Sequence, residues 1–320
     1  MGENGVSVVI CCFNSEARLP DTLKHLADQV VPPALDWEII VVDNASTDNT
    51  TIKAKEIWHA LGKATPLRVV AEHSPGLTKA RIKGINAAQF DLIIFCDDDN
   101  WLQSDFLANA KQIQQNYPDL ALFGIGESTA VYESEPARWF RKNKFEGLLA
   151  CFKRNADEIG FRSEDIQICG AGMCLTKSFG LQYQAFLESN PIHAVLDRTG
   201  NHLLSGGDSD INFLCAKLNL ESGNFLSLRL RHFIPSGRLK KSYVYKLIRG
   251  NSFSSSLLRL LNQHHAGDLT LWAKIKYLAR ELTKSPLHFY LGLANLQGRN
   301  DFKQFAVKHQ LNGRPGEYRN

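Results

Sequence analysis

Apolar residues cluster into short runs that end on polar residues, and this spacing predicts the first hundred positions. Val6 to Cys12 is nearly continuous apolar chain ending at Phe13-Asn14, as expected of a strand covered on both faces. Leu19, Leu23 and Leu26 then recur at helical spacing over residues 18–27, and residues 37–42 read as a second strand ending at Asp43-Asn44. Ser46-Thr47-Asp48-Asn49 is cap chemistry for a helix over residues 49–61. A third strand at 67–70, a Ser74-Pro75-Gly76 turn, a helix over 77–88 and a fourth strand at 92–96 complete the alternation. Strand and helix in this order predict an α/β fold with a mostly parallel central sheet flanked by helices.

Beyond residue 103 the pattern is looser. A helix is expected over 106–115, a glycine-entered strand over 170–175 and a helix from Gly206-Gly207-Asp208 to about Lys217. Another strand closes at Arg231-His232-Phe233-Ile234-Pro235, and from 238 the pattern is helical. The expected division is a catalytic domain over 1–235 and a basic, mainly helical extension over 236–320.

Composition changes this picture in two ways. With 320 residues and 44% apolar content the chain can bury a full core. The formal charge of +4 hides an asymmetry: residues 236–320 carry fifteen Lys or Arg against four Asp or Glu, and the remainder is net acidic. A cation is the expected partner of the first part and an anionic surface that of the second. Seven cysteines without zinc spacing read as reduced, intracellular thiols. The N-terminus lacks a leader pattern and no apolar run reaches membrane-span length, so the mature chain is expected to begin at Met1 in the cytoplasm.

Candidate chemistry sits at the strand ends. Ligands of such sheets bind outside the carboxyl ends of the strands, where Phe13-Asn14, Asp43-Asn44 and Asp97-Asp98-Asp99 all fall. Residues i and i+2 of a strand face the same way, so Asp97 and Asp99 are expected to share one face and Asp98 to take the other. Two carboxylates so spaced can hold Mg2+ or Mn2+, and a solvated acidic turn is the alternative. Arg81 lies near the start of a helix whose N-terminal end favours anions, with Lys79 and Lys83 beside it as surface charges.

Four segments, VSVVICCFNSEARL, EIIVVDNASTDNT, PGLTKARIKGINAA and LIIFCDDDNW, resemble in this order the opening elements of the family-2 inverting glycosyltransferases with a GT-A, Rossmann-like fold. The resemblance is close to about residue 110 and looser to 235; after it come only H-x-I-P and a basic helical tail, which some bacterial members share. It implies transfer of a sugar from a UDP, dTDP or GDP donor to a saccharide or lipid-linked acceptor, in cell-surface polysaccharide synthesis, with Mg2+ or Mn2+ and without nucleic acid. Carried onto this chain, Asp99 is the metal ligand, Asp97 a ribose or water-mediated metal contact, and Asp98 a third nucleotide-site acid of open register. Asp43 would accept from a nucleobase imide, Cys12 and Phe13 would pack on the base, and Asn14 and Glu16 complete that set. Arg81 would hold the diphosphate and His232 would complete the metal shell. Asp208 is placed as general base, with Asp210 as rival and Gly207 where the family usually has Glu. Gly170, Gly172 and Trp101 are the expected sugar contacts, although both glycines also suit a tight strand entry.

Two other readings stand beside this one. A sugar-phosphate nucleotidyltransferase shares the acidic sheet edge but opens with a glycine-rich basic loop, where this chain has FNSEARL. A non-catalytic nucleotide-sugar or carbohydrate-binding relative would fit Gly207. In the tail, Leu271, Trp272, Ile275, Leu278, Ala279 and Leu282 form an apolar stripe beside Lys274, Lys276 and Arg280. It predicts either packing within the protein or peripheral contact with the inner face of the plasma membrane.

Overall fold

The computed structural model describes residues 5–161, 166–196, 204, 206–262 and 270–311. The first four residues, on which the expected chain start rests, and the tail residues Arg314 and Arg319 lie outside the described residues. The chain divides into two compact units, one of residues 1–195 with 207–235 and the other of residues 196–206 with 236–320.

In the first unit β1 (Gly5–Cys12), β2 (Asp36–Asp43), β3 (Leu67–Ala71) and β4 (Leu92–Phe95) alternate with α1 (Leu19–Ala27), α2 (Thr50–Ala60) and α3 (Leu77–Ala87). The four strands pair in parallel in the order β3-β2-β1-β4. Their unbroken apolar runs follow from burial on both faces. Val6, Val8, Ile10, Ile39, Val41, Leu92 and Ile94 pack with Leu19, Leu23 and Leu26 of α1 and Ala54 and Trp58 of α2. The alternate positions Val9, Ile40, Val42, Ile93 and Phe95 pack with Ala80 and Ile85 of α3 on the other face. A strand covered in this way takes a polar side chain inside it only where a partner is supplied, as Ser7 and Glu38 supply one another at 2.8 Å, and otherwise only at its ends.

The remaining strands are β5 (Asn100–Leu102), β6 (Leu120–Tyr132), β7 (Phe152–Lys153), β8 (Glu158–Gly160), β9 (Cys174–Thr176) and β10 (Glu221–Ile234). They extend the same sheet through β9, β6, β10 and β5, and here the pairing is mixed. β9 is antiparallel to both β4 and β6, β5 is antiparallel to β10, and β6 and β10 run parallel. The helices between them are α4 (Phe106–Asn116), α5 (Arg138–Lys142), α6 (Lys177–Ser189) and α7 (Gly207–Lys217). The short β9 crosses back between β4 and β6, which run the opposite way to it, so β6 and β10 keep the direction of the first four strands and the larger strands of the sheet are parallel as expected.

The second unit holds α8 (Lys241–Leu261), α9 (Leu271–Lys284) and α10 (Pro286–Lys308). α8 and α10 are joined by Phe253 against Phe302 and Phe305 and by a two-bond ion pair from Arg249 to Asp301, at 2.5 and 3.0 Å. Ser285 ends α9 and caps α10, its hydroxyl accepting from the His288 backbone N–H at 3.2 Å ahead of Pro286 in the first turn. Among the described residues no helix is long and apolar enough to cross a membrane.

Candidate active site

The strand ends meet as expected, through loops that fasten to one another. The Asn44 N–H donates to the Cys12 carbonyl at 2.8 Å, continuing the β1–β2 ladder one step past the strands. Asn14, in the left-handed region at φ 49°, turns its side-chain oxygen to the Thr47 N–H at 2.8 Å. Glu16 accepts from the Asn49 backbone and side-chain N–H groups, while its own N–H donates to Asp48 at 3.1 Å. Asn14 and Glu16 thus tie the β1–α1 loop to the β2–α2 loop. The Asp43 carboxylate is aimed by the Ser46 N–H at 3.1 Å and the Thr51 hydroxyl at 2.7 Å. Cys12 is buried, and beside these fixed groups Phe13 is 49% exposed.

The three acids do not lie on a strand. β4 ends at Phe95, the Cys96 N–H is taken by the Val9 carbonyl, and the Asn100 N–H closes a turn on the Asp97 carbonyl at 3.0 Å. The alternating-face expectation fails because the chain bends back into β5 at this point. Asp98 is turned inward: its carboxylate accepts from Arg18 Nη2 at 2.6 Å and from the Ser15 hydroxyl, and its carbonyl accepts from the Thr22 hydroxyl at 2.8 Å. Burial, and then the neighbouring Asp99 charge, push the Asp98 carboxyl up, while Arg18 and Ser15 oppose the rise. Asp98, expected among the nucleotide contacts, is in the structure the acid that fastens the turn to α1.

Asp99 is buried with its Oδ1 3.4 Å from His232 Nε2. His232 reaches Asp99 because Asn100 of β5 is its partner on β10. Burial opposes charging of this imidazole, but the bond to Asp99 prevails and lifts it to about 9, with Cys151 Sγ 3.9 Å from Nδ1. Asp97 is half-buried and accepts from Asn100 Nδ2 at 3.1 Å; among the described residues Asn100 Oδ1 is a buried oxygen with no hydrogen-bond partner. Among the described residues no three His, Cys, Asp or Glu side chains are grouped as a metal cage. The donors that are present, hard carboxylates with one imidazole and an unsatisfied amide oxygen, suit Mg2+ or Mn2+, which keep waters and share ligands with phosphates.

A second cluster forms where α3, α7 and the segment before β9 meet. Arg81 is buried with its guanidinium over the Phe95 ring, 5.4 Å from the centroid. A methyl group built on Gly170 would lie 2.7 Å from Arg81 Nη2 and 3.5 Å from Asp208 Oδ2. Asp208, in the first turn of α7, accepts from the Gly170 N–H at 3.2 Å and the Ser209 N–H at 3.0 Å. Burial, then Asp208 and more weakly Asp97, push the Cys169 thiol up to about 12, against the pull of Arg81. Asp97, Arg81, Gly170 and Asp208 therefore share one electrostatic neighbourhood, although they are spread over more than a hundred residues of chain.

Other expected residues lie elsewhere. Asp210 is fully buried, with Oδ2 taking the Tyr183 hydroxyl at 3.0 Å and Oδ1 2.5 Å from His193 Nδ1. Gly172, at φ 68°, packs where a methyl group would meet Ile125 Cγ2 at 2.7 Å, so its glycine serves the core and the backbone turn. The Trp101 ring is stacked with His25 and Phe233 and carries the Arg231 guanidinium 5.3 Å from its centroid. Arg18, Ser15 and Thr22 were not singled out in the sequence. Their one signal is position, in the loop and first turn after β1.

Known proteins resemble this chain in sequence and in fold. EpsH of Bacillus subtilis is 26% identical over 162 residues, covering 47% of this chain and 45% of that protein. A dodecaprenyl-phosphate galacturonate synthase of Rhizobium johnstonii is 35% identical over 101 residues, 31% of this chain and 29% of that one. The chain thus spans less than half the length of these curated relatives. Among solved structures, a mannosyltransferase of Pyrobaculum calidifontis in complex with GDP-Man and Mn2+ superposes with a TM-score of 0.56 at 16% identity, over 92% of this chain and 87% of that one, a likeness of fold. The fold is that of the GT-A glycosyltransferases. Residues 7–176 match the family model described as glycosyl transferase family 2, and the chain belongs to that family.

Proposed function

We propose that the chain is a metal-dependent inverting glycosyltransferase that moves a sugar from a nucleoside diphosphate sugar to a saccharide or lipid-linked saccharide acceptor in cell-surface polysaccharide synthesis. The observation that carries the proposal is the convergence of the Arg81 guanidinium and the Asp208 carboxylate on Gly170. An anion-binding fork and a carboxylate base brought close to the same glycine suit a leaving diphosphate and an incoming hydroxyl. The lipid-linked acceptor takes support from the name of the Rhizobium relative, and the nucleotide sugar and Mn2+ from the Pyrobaculum complex.

In this reading Asp43 and Phe13 receive the base, with Cys12, Asn14 and Glu16 holding the loops that present them. Asp97 takes the ribose or a metal-bound water. Asp99 and His232 would hold the divalent ion, with Asp97 reaching it through water, and the ion when bound would offset the charge of the diphosphate. The acceptor oxygen attacks the anomeric carbon as the bond to the diphosphate breaks, and its proton passes to Asp208. Arg81 holds the departing phosphate oxygens. Asp210 has no part in this step because it is fully buried between Tyr183 and His193, whereas Asp208 is half-buried.

The test is a thermal-shift panel of UDP-, GDP- and dTDP-sugars with and without Mn2+, followed by transfer assays on the donor that stabilises. A ligand that binds the folded state at a hundred times its Kd adds about 2.7 kcal/mol of stability. One donor class should raise the melting temperature with metal present and lose that effect in EDTA. Undiminished donor turnover by Asp99→Ala in excess EDTA refutes the proposal.

A further inference from the structure

In α9 the strongest amphipathic pattern of the tail is not packed away. Leu271 is 75% exposed, Trp272 68%, Ile275 47% and Leu282 53%. At 3.6 residues per turn these four and Ala279 fall within roughly 100° of arc on one side of the helix. α9 meets α10 with a different side, through Tyr277, Leu278 and Glu281 around Gly292. Among the described residues the apolar arc is therefore surplus to the packing of this unit.

Charge says what covers it. α9 carries Lys274, Lys276, Arg280 and Lys284 against a single acid, Glu281, which is held by Lys284 at 2.9 Å and by Arg280 at 3.4 Å. The Lys276 ammonium lies over the Trp272 ring, 6.0 Å from its centroid, so a cation borders the apolar arc directly. Basic residues along the rim of a short apolar face with an exposed tryptophan match a helix lying in a lipid interface, its ammonium groups at the phosphate level. A protein groove would also cover Leu271, Trp272 and Ile275, but a rim of cations with its one acid already neutralised favours an anionic surface over a mixed one.

We infer that α9 is a peripheral docking helix for anionic lipid, with Leu271, Trp272, Ile275 and Leu282 entering the interface and Lys274 and Lys276, which flank the apolar arc, contacting headgroup phosphates. The inference does not rest on the glycosyl-transfer reading.

The test is co-sedimentation of the intact chain with vesicles of phosphatidylcholine alone or mixed with phosphatidylglycerol. Binding is expected to the mixed vesicles only and to fall steeply with salt. Trp272→Ser with Ile275→Ser, both at exposed positions, should weaken it by roughly tenfold or more, with the circular-dichroism melt unchanged. Lys276→Glu leaves the apolar arc intact and should cost at least ~5-fold for the lost cation. Equal sedimentation of parent and variants, or equal binding to neutral vesicles, overturns the inference. So does concentration-dependent dimerisation abolished by Ile275→Ser, which would give the face to a second copy of the chain.

Discussion

Replacing Asp98 by Asn separates a fastening acid from a ligand-binding one. The carboxylate sits in the turn after β4 with Arg18 Nη2 at 2.6 Å and the Ser15 hydroxyl on the same oxygen, the two side chains of the ion pair being 29% and 11% exposed. Removing one member of a well-buried pair costs about 3–5 kcal/mol. Two features reduce that here: Arg18 keeps partial access to water and a bond to the Phe13 carbonyl at 3.3 Å, and a neutral residue at 98 relieves repulsion with Asp99. The expected loss is about 2–3 kcal/mol, or roughly 4–12 °C in melting temperature for a unit of this size. Donor-induced stabilisation in the presence of Mn2+ should persist in the variant. Asp97→Asn is the control: half-buried and bonded to Asn100 Nδ2, it should melt within about 0.5 kcal/mol of the parent and lose the donor effect. A double cycle of Asp98→Asn with Arg18→Met should give a coupling of at least ~1 kcal/mol. An Asp98→Asn protein that melts like the parent but no longer responds to donor would refute the assignment.

Two further contrasts use neighbouring positions in the same way. Gly170→Ala places a methyl 2.7 Å from the Arg81 guanidinium, so kcat should fall ~10-fold or more with little change in melting, as seen by steady-state kinetics and calorimetry. Gly172→Ala, at φ 68° and against Ile125, should instead lower the melting point by a cost of ~1–3 kcal/mol. Asp208→Asn should lower kcat by about 10²–10⁴ with donor-induced stabilisation intact. Asp210→Asn should leave that donor response in place but destabilise by ~1–3 kcal/mol through the loss of charge-assisted bonds to His193 and Tyr183, read from urea midpoints.

The contrast between these pairs follows from what a linear pattern can carry. β1, β2 and β4 were legible because burial on both faces makes them almost wholly apolar, with only Ser7 and Glu38 as paired internal polar residues, so their ends, and with them Phe13, Asp43 and Asp97, are marked by composition. β6 was not legible: Leu120–Tyr132 holds two glycines and several polar residues, and it is a strand because β9 and β10 flank it. Periodicity speaks for an element's own two faces and not for its neighbours in the sheet.

Within the site the same limit is sharper. The sequence places Asp97, Asp98 and Asp99 side by side, and extrapolating β4 through them predicts that Asp98 is the odd one for want of a shared face. In the structure Asp98 is the odd one for a different reason, since Arg18 and Ser15 draw it inward from a helix start eighty residues earlier. Likewise Asp208 and Asp210 are indistinguishable as acids in the first turn of α7. His193 and Tyr183 close around one of them, while Gly170 leaves the other facing Arg81. A carboxylate's chemistry is set by how far folding buries and pairs it, and that is decided by partners from distant elements. The useful question of an acidic motif is therefore which acids the fold consumes. In this chain the fold buries Asp98 and Asp210, whereas Asp97 and Asp208 stay half-buried and are the two acids whose charges reach Cys169 together with that of Arg81.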